Sequence, residues 1–495
     1  LRRLLDAVPG LHIDGPVGAD VMVTGVTHDS NQVRPGDVYA ALPGQHRHGI
    51  EFADPAAASG AVAVLTDAAG REAGAAALPV LVAADPRAVL GAVASEIYGR
   101  PSDQLLVVGV TGTNGKTTST YLVEAGLRAA GHRTGLIGTV ETRVGDTAMD
   151  SVRTTPEAPD LQALLAVMHE RGADAVSMEV SSHALALHRV DGTRMAAAVF
   201  TNLSQDHLDF HADIEDYFAA KQRLFTSEFT RRAVIDIDDS YGARLASSVR
   251  IPVTRVSPNG NHGADWWVED VVLSDDGSTF TIHSSSGTAV PASVRLPGSF
   301  NVANAALAIV TLVEVGVALD QAVVGVGSCE SVSGRMHRVD AGQPFVAMVD
   351  YAHTPDAVTT LLKTVRPLTA GRVIGVLGCG GDRDRGKRPL MGAALAAGAD
   401  IAVLTSDNPR SENPLDILSA MESGARAVPP DERAEVVVEP DRRTAIALAV
   451  ELARPGDVVV VAGKGHERVQ EVGDERFPFD DAEELRAAIG AAVGS

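Results

Sequence analysis

The sequence predicts an α/β protein of three domains, and three observations carry that expectation. Its 495 residues are more than one hydrophobic core usually organises. Short apolar runs of strand length alternate with Ala-rich segments of helical length, the rhythm of parallel sheets covered on both faces. That rhythm is interrupted near residue 100 by a stretch with Gly and Pro, and it restarts near 338 after a more polar section. The expected domains are therefore 1–98, 99–337 and 338–495.

In the first unit the strand candidates are "GDVYAAL" (36–42), "AVAVLT" (61–66) and "LPVLVAA" (78–84), with helical segments between them and "YGRPSDQ" (98–104) as a closing linker. The second unit opens on "LLVVGVTGTNGKTTSTYLVEAGLRAAG" (105–131), an apolar strand, a Gly-containing loop and a helix ending near Gly131. "ADAVSMEV" (173–180) and "AAAVFTNL" (196–203) are further buried strands. The polar, alternating "WVEDVVLSDDGSTFTIHSSSGT" (267–288) reads as an antiparallel insertion, and "GSFNVANAALAIVTLVEVG" (298–316) resumes a helix. The third unit has strands "FVAMVDYA" (345–352), "RVIGVLG" (372–378), "DIAVLTS" (400–406) and "DVVVVAG" (457–463). Polar clusters follow those strands directly, where open, Rossmann-like α/β sheets bind ligands.

Composition excludes several classes. Apolar residues make up 45% and charged residues 21%, the mixture of a soluble globular protein. A formal charge of -22, from 42 Lys+Arg against 64 Asp+Glu, repels nucleic acid and anionic membrane. Small anions can still bind where Lys, Arg and helix N-termini gather. Two cysteines, Cys329 and Cys379, exclude a disulfide scaffold and fit a reducing compartment. With no apolar run of about 18 residues and no signal peptide, a cytoplasmic protein without membrane insertion is expected. The chain begins at Leu1 rather than Met, so a native N-terminal segment is expected ahead of it.

The strongest chemical signal is "TGTNGKTT" (111–118) between a strand and a helix. Backbone N–H groups of such a loop cradle a triphosphate, Lys116 reaches the β- and γ-phosphates, and Thr117 can hold Mg²⁺. Val110 stands where the general pattern has its first Gly. "SMEVSSHAL" (177–185) puts Glu179 at a strand end, and "FTNLSQDHLDFH" (200–211) does the same for Asp206, His207 and Asp209. Carboxylate and imidazole at neighbouring strand ends suit a divalent cation. Either of these two motifs alone reads first as a solvated loop, and the phosphate loop in the same domain is what favours the cation. "IEDYFAAKQRLF" (214–225) places Lys221 amid an apolar helical face, three residues after Phe218 and four before Phe225. Either its stem packs there while the ammonium snorkels to water, or burial favours a neutral amine. A neutral amine can add CO₂ to form a carbamate, which a nearby Mg²⁺ would stabilise.

Taken in order, "GTNGKTT", "EVSSH", "TNLSQDHLDFH", "DYFAAK", "GSFNVAN", "SGRM", "DYAHTPD", "GCGGDRDRGKRPLM", "SDNPR" and "GKGHE" resemble the motifs of the Mur ligases over nearly the whole chain. The resemblance is to members that add the third residue of the peptidoglycan stem peptide. It implies an ATP-dependent acid–amino-acid ligase of cell-wall precursor synthesis, and so a part in cell shape and division. The first domain would bind the UDP sugar, the second, P-loop ATPase-like domain ATP, and the third the incoming amino acid. By the same resemblance ATP lies on Gly112, Thr113, Asn114, Gly115, Lys116, Thr117 and Thr118, with Asn301, Asn304 and Arg335. The catalytic set would be Lys116, Glu179, His207, Lys221, Arg335, Asp350 and His353. Mg²⁺ would be held by Thr117, Glu179, His207 and the carbamate of Lys221, formed with CO₂. The UDP-sugar peptide would meet Ser30, Gln45, His46 and Arg47 in the first domain and Thr154, Thr155, Ser181 and Arg189 in the second.

Relatives that use meso-diaminopimelate carry "DNPR", here Asp407, Asn408, Pro409 and Arg410. Diaminopimelate differs from lysine by a distal carboxylate, which a guanidinium grips bidentately. Arg410 is the expected partner of that group, with Arg383, Gly463 and Glu467 completing the pocket by resemblance. The expected reaction joins meso-diaminopimelate to UDP-N-acetylmuramoyl-L-alanyl-D-glutamate through an acyl phosphate, in a monomer. The alternatives are an L-lysine-adding enzyme, another Mur or folylpolyglutamate-type ligase, or a nucleotide switch without ligase activity.

Overall fold

The computed structural model describes residues 1–14, 21–44, 46–74, 78–149, 153–274 and 276–493. Three main sheets carry the fold, one in each domain. In the N-terminal domain the strands Gly25–Thr27, Asp37–Ala40, Ala63–Thr66 and Val80–Val82 pair in parallel, and His12–Asp14 joins the far edge antiparallel. The helix Pro86–Ile97 starts as its sequence dictates. Asp85 accepts hydrogen bonds from Arg87 N and Ala88 N, and Pro86 occupies the first turn, where a missing N–H costs nothing. The stretch 98–104, expected as a linker, is packed rather than loose: Pro101 and Ser102 are buried and Ser102 Oγ accepts from Arg194 N.

The central sheet has eleven strands. Its parallel core runs in the order Thr134–Ile137, Ala175–Glu179, Leu106–Thr111, Ala197–Phe200, Ala233–Asp236, Val253–Ser257. Most of these strands are buried along their length because helices cover both faces, so they read as continuous apolar runs. Lys116–Ala129 and Ser299–Glu314 build the core on one face; Ala158–Glu170 and Ile214–Gln222 build the other. The polar section expected as an insertion forms the antiparallel strands Trp266–Ser274 and Gly277–Ser284, extended by Ala289–Val294.

The C-terminal sheet orders Val346–Asp350, Val458–Ala462, Val373–Cys379, Ile401–Ser406 and Glu435–Val438 in parallel. The short strand His337–Arg338 pairs antiparallel with Val346–Asp350, so the expected 337/338 boundary falls inside an element of the third sheet. A separate ribbon, Val469–Val472 with Glu475–Pro478, lies beyond the sheet. Thr111, Glu179, Phe200 and Asp350 all stand at carboxyl ends of parallel strands, the edge at which such sheets bind ligands.

Candidate active site

A cavity of about 690 Å³ opens where the central and C-terminal domains meet, and the phosphate loop forms part of its wall. The strand Leu106–Thr111 delivers the chain into that loop and the helix Lys116–Ala129 leaves it. Gly112 has φ +148, and a Cβ there would lie 1.9 Å from Thr201 Oγ1; Gly115 has φ +85, with Asn304 Oδ1 2.4 Å from any Cβ. Only glycine fits either place. The end of the neighbouring strand ties the loop down. Thr113 N donates to Asn202 O at 2.9 Å, Asn114 N to Asn202 Oδ1 at 2.9 Å, and Thr201 Oγ1 to Asn114 O at 2.6 Å. Lys116 Nζ donates to Gly112 O (3.0 Å) and Thr113 O (2.7 Å), curled within the loop. Asn304 lines the cavity, whereas Asn301 stands behind it, fully buried, with its Oδ1 accepting from Asn304 Nδ2.

Glu179 is 1% exposed at its strand end, and its two oxygens accept from Thr139 N (2.7 Å) and Thr139 Oγ1 (3.0 Å). His207 lies across the cavity beside Asp206, Nε2 to Oδ2 3.3 Å, and desolvation holds its imidazole below the ordinary value. Burial alone would raise the Asp206 carboxyl, but His353, His207 and Lys387 outweigh it and hold that group well below the usual carboxylate range. Lys221 does not snorkel. It is 1% exposed, its Nζ donates to Gly112 O at 2.8 Å, and it sits 4.5 Å from the Tyr217 ring centre. Burial first, and then the Lys116 ammonium, push its pKa well below that of free lysine. Two lysines on one carbonyl oxygen favour a neutral amine on one of them.

The C-terminal domain and the segment leading into it complete the wall. Arg335 Nη2 donates to Thr117 Oγ1 at 2.9 Å, and the guanidinium lies 4.5 Å over the Tyr351 ring. Its buried Nε has no acceptor among the described residues, an open donor beside the phosphate loop. Asp350 holds the turn into this domain by accepting from Met336 N and Ala352 N, both at 2.8 Å, and burial raises its pKa. His353 Nε2 comes 3.7 Å from Asp206 Oδ2, and Lys387 Nζ reaches Asp206 Oδ1 at 3.4 Å. Neither Asp206 as an interdomain acceptor nor Lys387 was evident from local sequence, since 181 residues separate them.

Thr117, Glu179 and His207 all line the cavity and carry the oxygen and imidazole donors that a divalent cation takes. Among the described residues no three His, Cys, Asp or Glu form a complete cage. That donor set still fits magnesium, which takes few protein ligands and completes its shell from phosphates and water. Lys221, behind the phosphate loop, does not line the cavity.

Thr154, Thr155, Ser181 and Arg189 also line it. Thr155 Oγ1 donates to Glu179 O at 2.8 Å, and Arg189 Nε lies 2.9 Å from Glu157 Oε1. Ser30, His46 and Arg47 are not on its wall, and Gln45 lies outside the described residues. Of the amino-acid set, Arg383 and Glu467 reach the cavity. Asp407, Asn408, Pro409, Arg410 and Gly463 are not on its wall. Asn408 Nδ2 donates to Glu467 Oε2 at 2.8 Å, and Gly463, φ +111, leaves no room for a Cβ beside Asp407. Lys464, fully buried, joins the two motifs by donating to Asn408 Oδ1 (2.9 Å) and Glu467 Oε2 (3.1 Å). Its place inside "GKGHE" was visible, but not that role.

Three family descriptions match the chain in series: "Mur ligase family, catalytic domain" over 22–98, "Mur ligase middle domain" over 110–312 and "Mur ligase, glutamate ligase domain" over 334–465. The chain belongs to the Mur ligase family. It is similar to the UDP-N-acetylmuramoyl-L-alanyl-D-glutamate--2,6-diaminopimelate ligase of Streptomyces coelicolor, at 54% identity covering 99% of this chain and 97% of that one. The ligase of the same name from Corynebacterium glutamicum is 48% identical over 93% of this chain and 90% of its own. A solved structure of a UDP-N-acetylmuramoyl-L-alanyl-D-glutamate--2,6-diaminopimelate ligase superposes with a TM-score of 0.67, 34% identical, over 95% of each chain.

Proposed function

We infer that this chain adds meso-diaminopimelate to UDP-N-acetylmuramoyl-L-alanyl-D-glutamate, with ATP as phosphoryl donor. The observation that carries the reading is one cavity walled by a phosphate loop, a buried strand-end carboxylate and side chains of the third domain. A carboxylate is a poor acyl donor because its leaving group would be oxide. Phosphoryl transfer from ATP to the D-glutamyl γ-carboxylate makes an acyl phosphate, and attack by the amine then releases phosphate. Two anions must meet, so the protein has to supply positive charge where it redistributes.

Lys116 and Arg335 are the cations in place, one within the loop and the other anchored on Thr117. A magnesium ion on Thr117, Glu179 and His207 would neutralise phosphate charge during transfer. Thr139 fixes both oxygens of Glu179, so that carboxylate is oriented in advance. Lys221, buried and biased towards the neutral amine, is suited to carry a carbamate that adds negative charge beside the loop. His353 would hold the third domain against the ATP site, with Asp350 fixing the turn behind it, which keeps water from the acyl phosphate. The UDP-sugar peptide would lie along Thr154, Thr155, Ser181 and Arg189, with its nucleotide end towards Ser30, Gln45, His46 and Arg47.

For the amino acid, Arg410 answers the distal carboxylate and Glu467 the distal ammonium, with Arg383, Asp407, Asn408, Pro409 and Gly463 shaping the pocket. L-Lysine would leave Arg410 without its anion. The reading goes with a monomer that works in the cytoplasm, where nucleotide-activated substrates are made. The test is phosphate release with the UDP-dipeptide present, comparing meso-diaminopimelate with L-lysine. Release with the first and little with the second is expected; equal rates would refute the assignment of the amino acid.

A further inference from the structure

We propose that Glu471, on the ribbon beyond the third sheet, is a positioning residue that sets the Arg410 guanidinium for the distal carboxylate of the amino-acid substrate. The proposal rests on the assignment of Arg410 given above. Arg410 stands in the left-handed region at φ 51, a conformation its neighbours must enforce. The ribbon does so. Arg410 N donates to Glu471 O at 3.1 Å and Gly473 N to Arg410 O at 2.8 Å, so Arg410 pairs with Val472 like a strand residue. The same ribbon holds two earlier residues of the Arg410 loop: Gln470 Nε2 donates to Asp407 O at 2.8 Å and Glu471 N to Asn408 Oδ1 at 3.1 Å.

The side chains continue the pattern. Arg410 Nε donates to Glu471 Oε2 at 2.9 Å, and Nη1 donates to Gly381 O at 2.8 Å. Nη2 has no protein acceptor among the described residues. A guanidinium carries five N–H groups, so the paired Nη1 and Nη2 end keeps hydrogens for an incoming carboxylate. Glu471 is itself fixed from its other side, Oε1 lying 2.9 Å from Arg476 Nη2. Both members of the Arg410–Glu471 pair are 23% exposed, so the contact adds little stability, and its effect is orientation.

A resident carboxylate has a second conceivable role, competition with the substrate's own, and the two roles differ in sign. An orienting acceptor survives Glu471→Gln, which keeps an oxygen for Nε–H, and is lost in Glu471→Ala. A competitor is removed by both, and binding tightens. The experiment is steady-state kinetics of the full chain with ATP and UDP-dipeptide saturating and meso-diaminopimelate or L-lysine varied. Glu471→Ala should raise the KM for meso-diaminopimelate about tenfold and leave kcat within about twofold. The KM for ATP and the residual use of L-lysine, which has no distal carboxylate, should not move. Glu471→Gln should stay within about threefold of the parent, and Glu471→Ala should add nothing in an Arg410→Ala background. A lowered KM, equal losses with lysine or ATP, or a Gln variant as impaired as the Ala variant would overturn the proposal. If Arg410→Ala leaves the KM unchanged, the Arg410 assignment itself falls and takes this one with it. If Arg410→Ala raises the KM and Glu471→Ala does not, only the role of Glu471 is lost.

Discussion

At the scale of single residues, Lys221 shows how a side chain out of place on a helix becomes informative. Its position amid Tyr217, Phe218, Leu224 and Phe225 was legible, because helical phasing alone sets it. The contact of its Nζ with Gly112 O, 109 residues earlier, was not, since only the sheet brings those segments together. Burial and the neighbouring Lys116 favour the neutral amine that CO₂ requires. Lys221→Ala should therefore lower phosphate release by about a hundredfold or more, and added formate or acetate should restore part of it. Full activity of the alanine variant would remove the carbamate from the mechanism.

At the scale of elements, the phosphate loop is fixed by steric exclusion. Gly112→Ala puts a Cβ against Thr201 and strains a φ of +148. The expected outcome is a KM for ATP raised about tenfold or more and a stability loss of about 1–3 kcal/mol, read by nucleotide titration and thermal melting. Strands that are buried on both faces were legible as apolar runs: Leu106–Thr111, Ala175–Glu179 and Val458–Ala462 stand where the pattern put them. Short strands without such runs were not. His12–Asp14, Thr142–Val144 and Glu435–Val438 carry polar or exposed positions and depend on a neighbour for their pairing. The ribbon around Glu471 escaped for the same reason, although it holds the "DNPR" loop.

At the scale of the whole molecule, Asp206 of the central domain faces His353 and Lys387 of the C-terminal domain. Its folded carboxyl titrates well below the ordinary 3.8, so the unfolded chain takes up the proton first as pH falls. Stability from this contact is whole above that value and lost below it. The gap in melting temperature between the parent and Asp206→Asn should hold steady from about pH 8 to about pH 5 and shrink below about pH 4. A gap that widens in acid would reverse the sign. The order of motifs along the chain revealed the three-domain plan, but the convergence of domains on one carboxylate depends on packing that no local stretch encodes. Activation of a carboxylate by phosphorylation before an amine attacks is tested by turnover with ¹⁸O in the D-glutamyl γ-carboxylate. Inorganic phosphate should then carry one labelled oxygen per amide formed, and unlabelled phosphate would rule the acyl phosphate out.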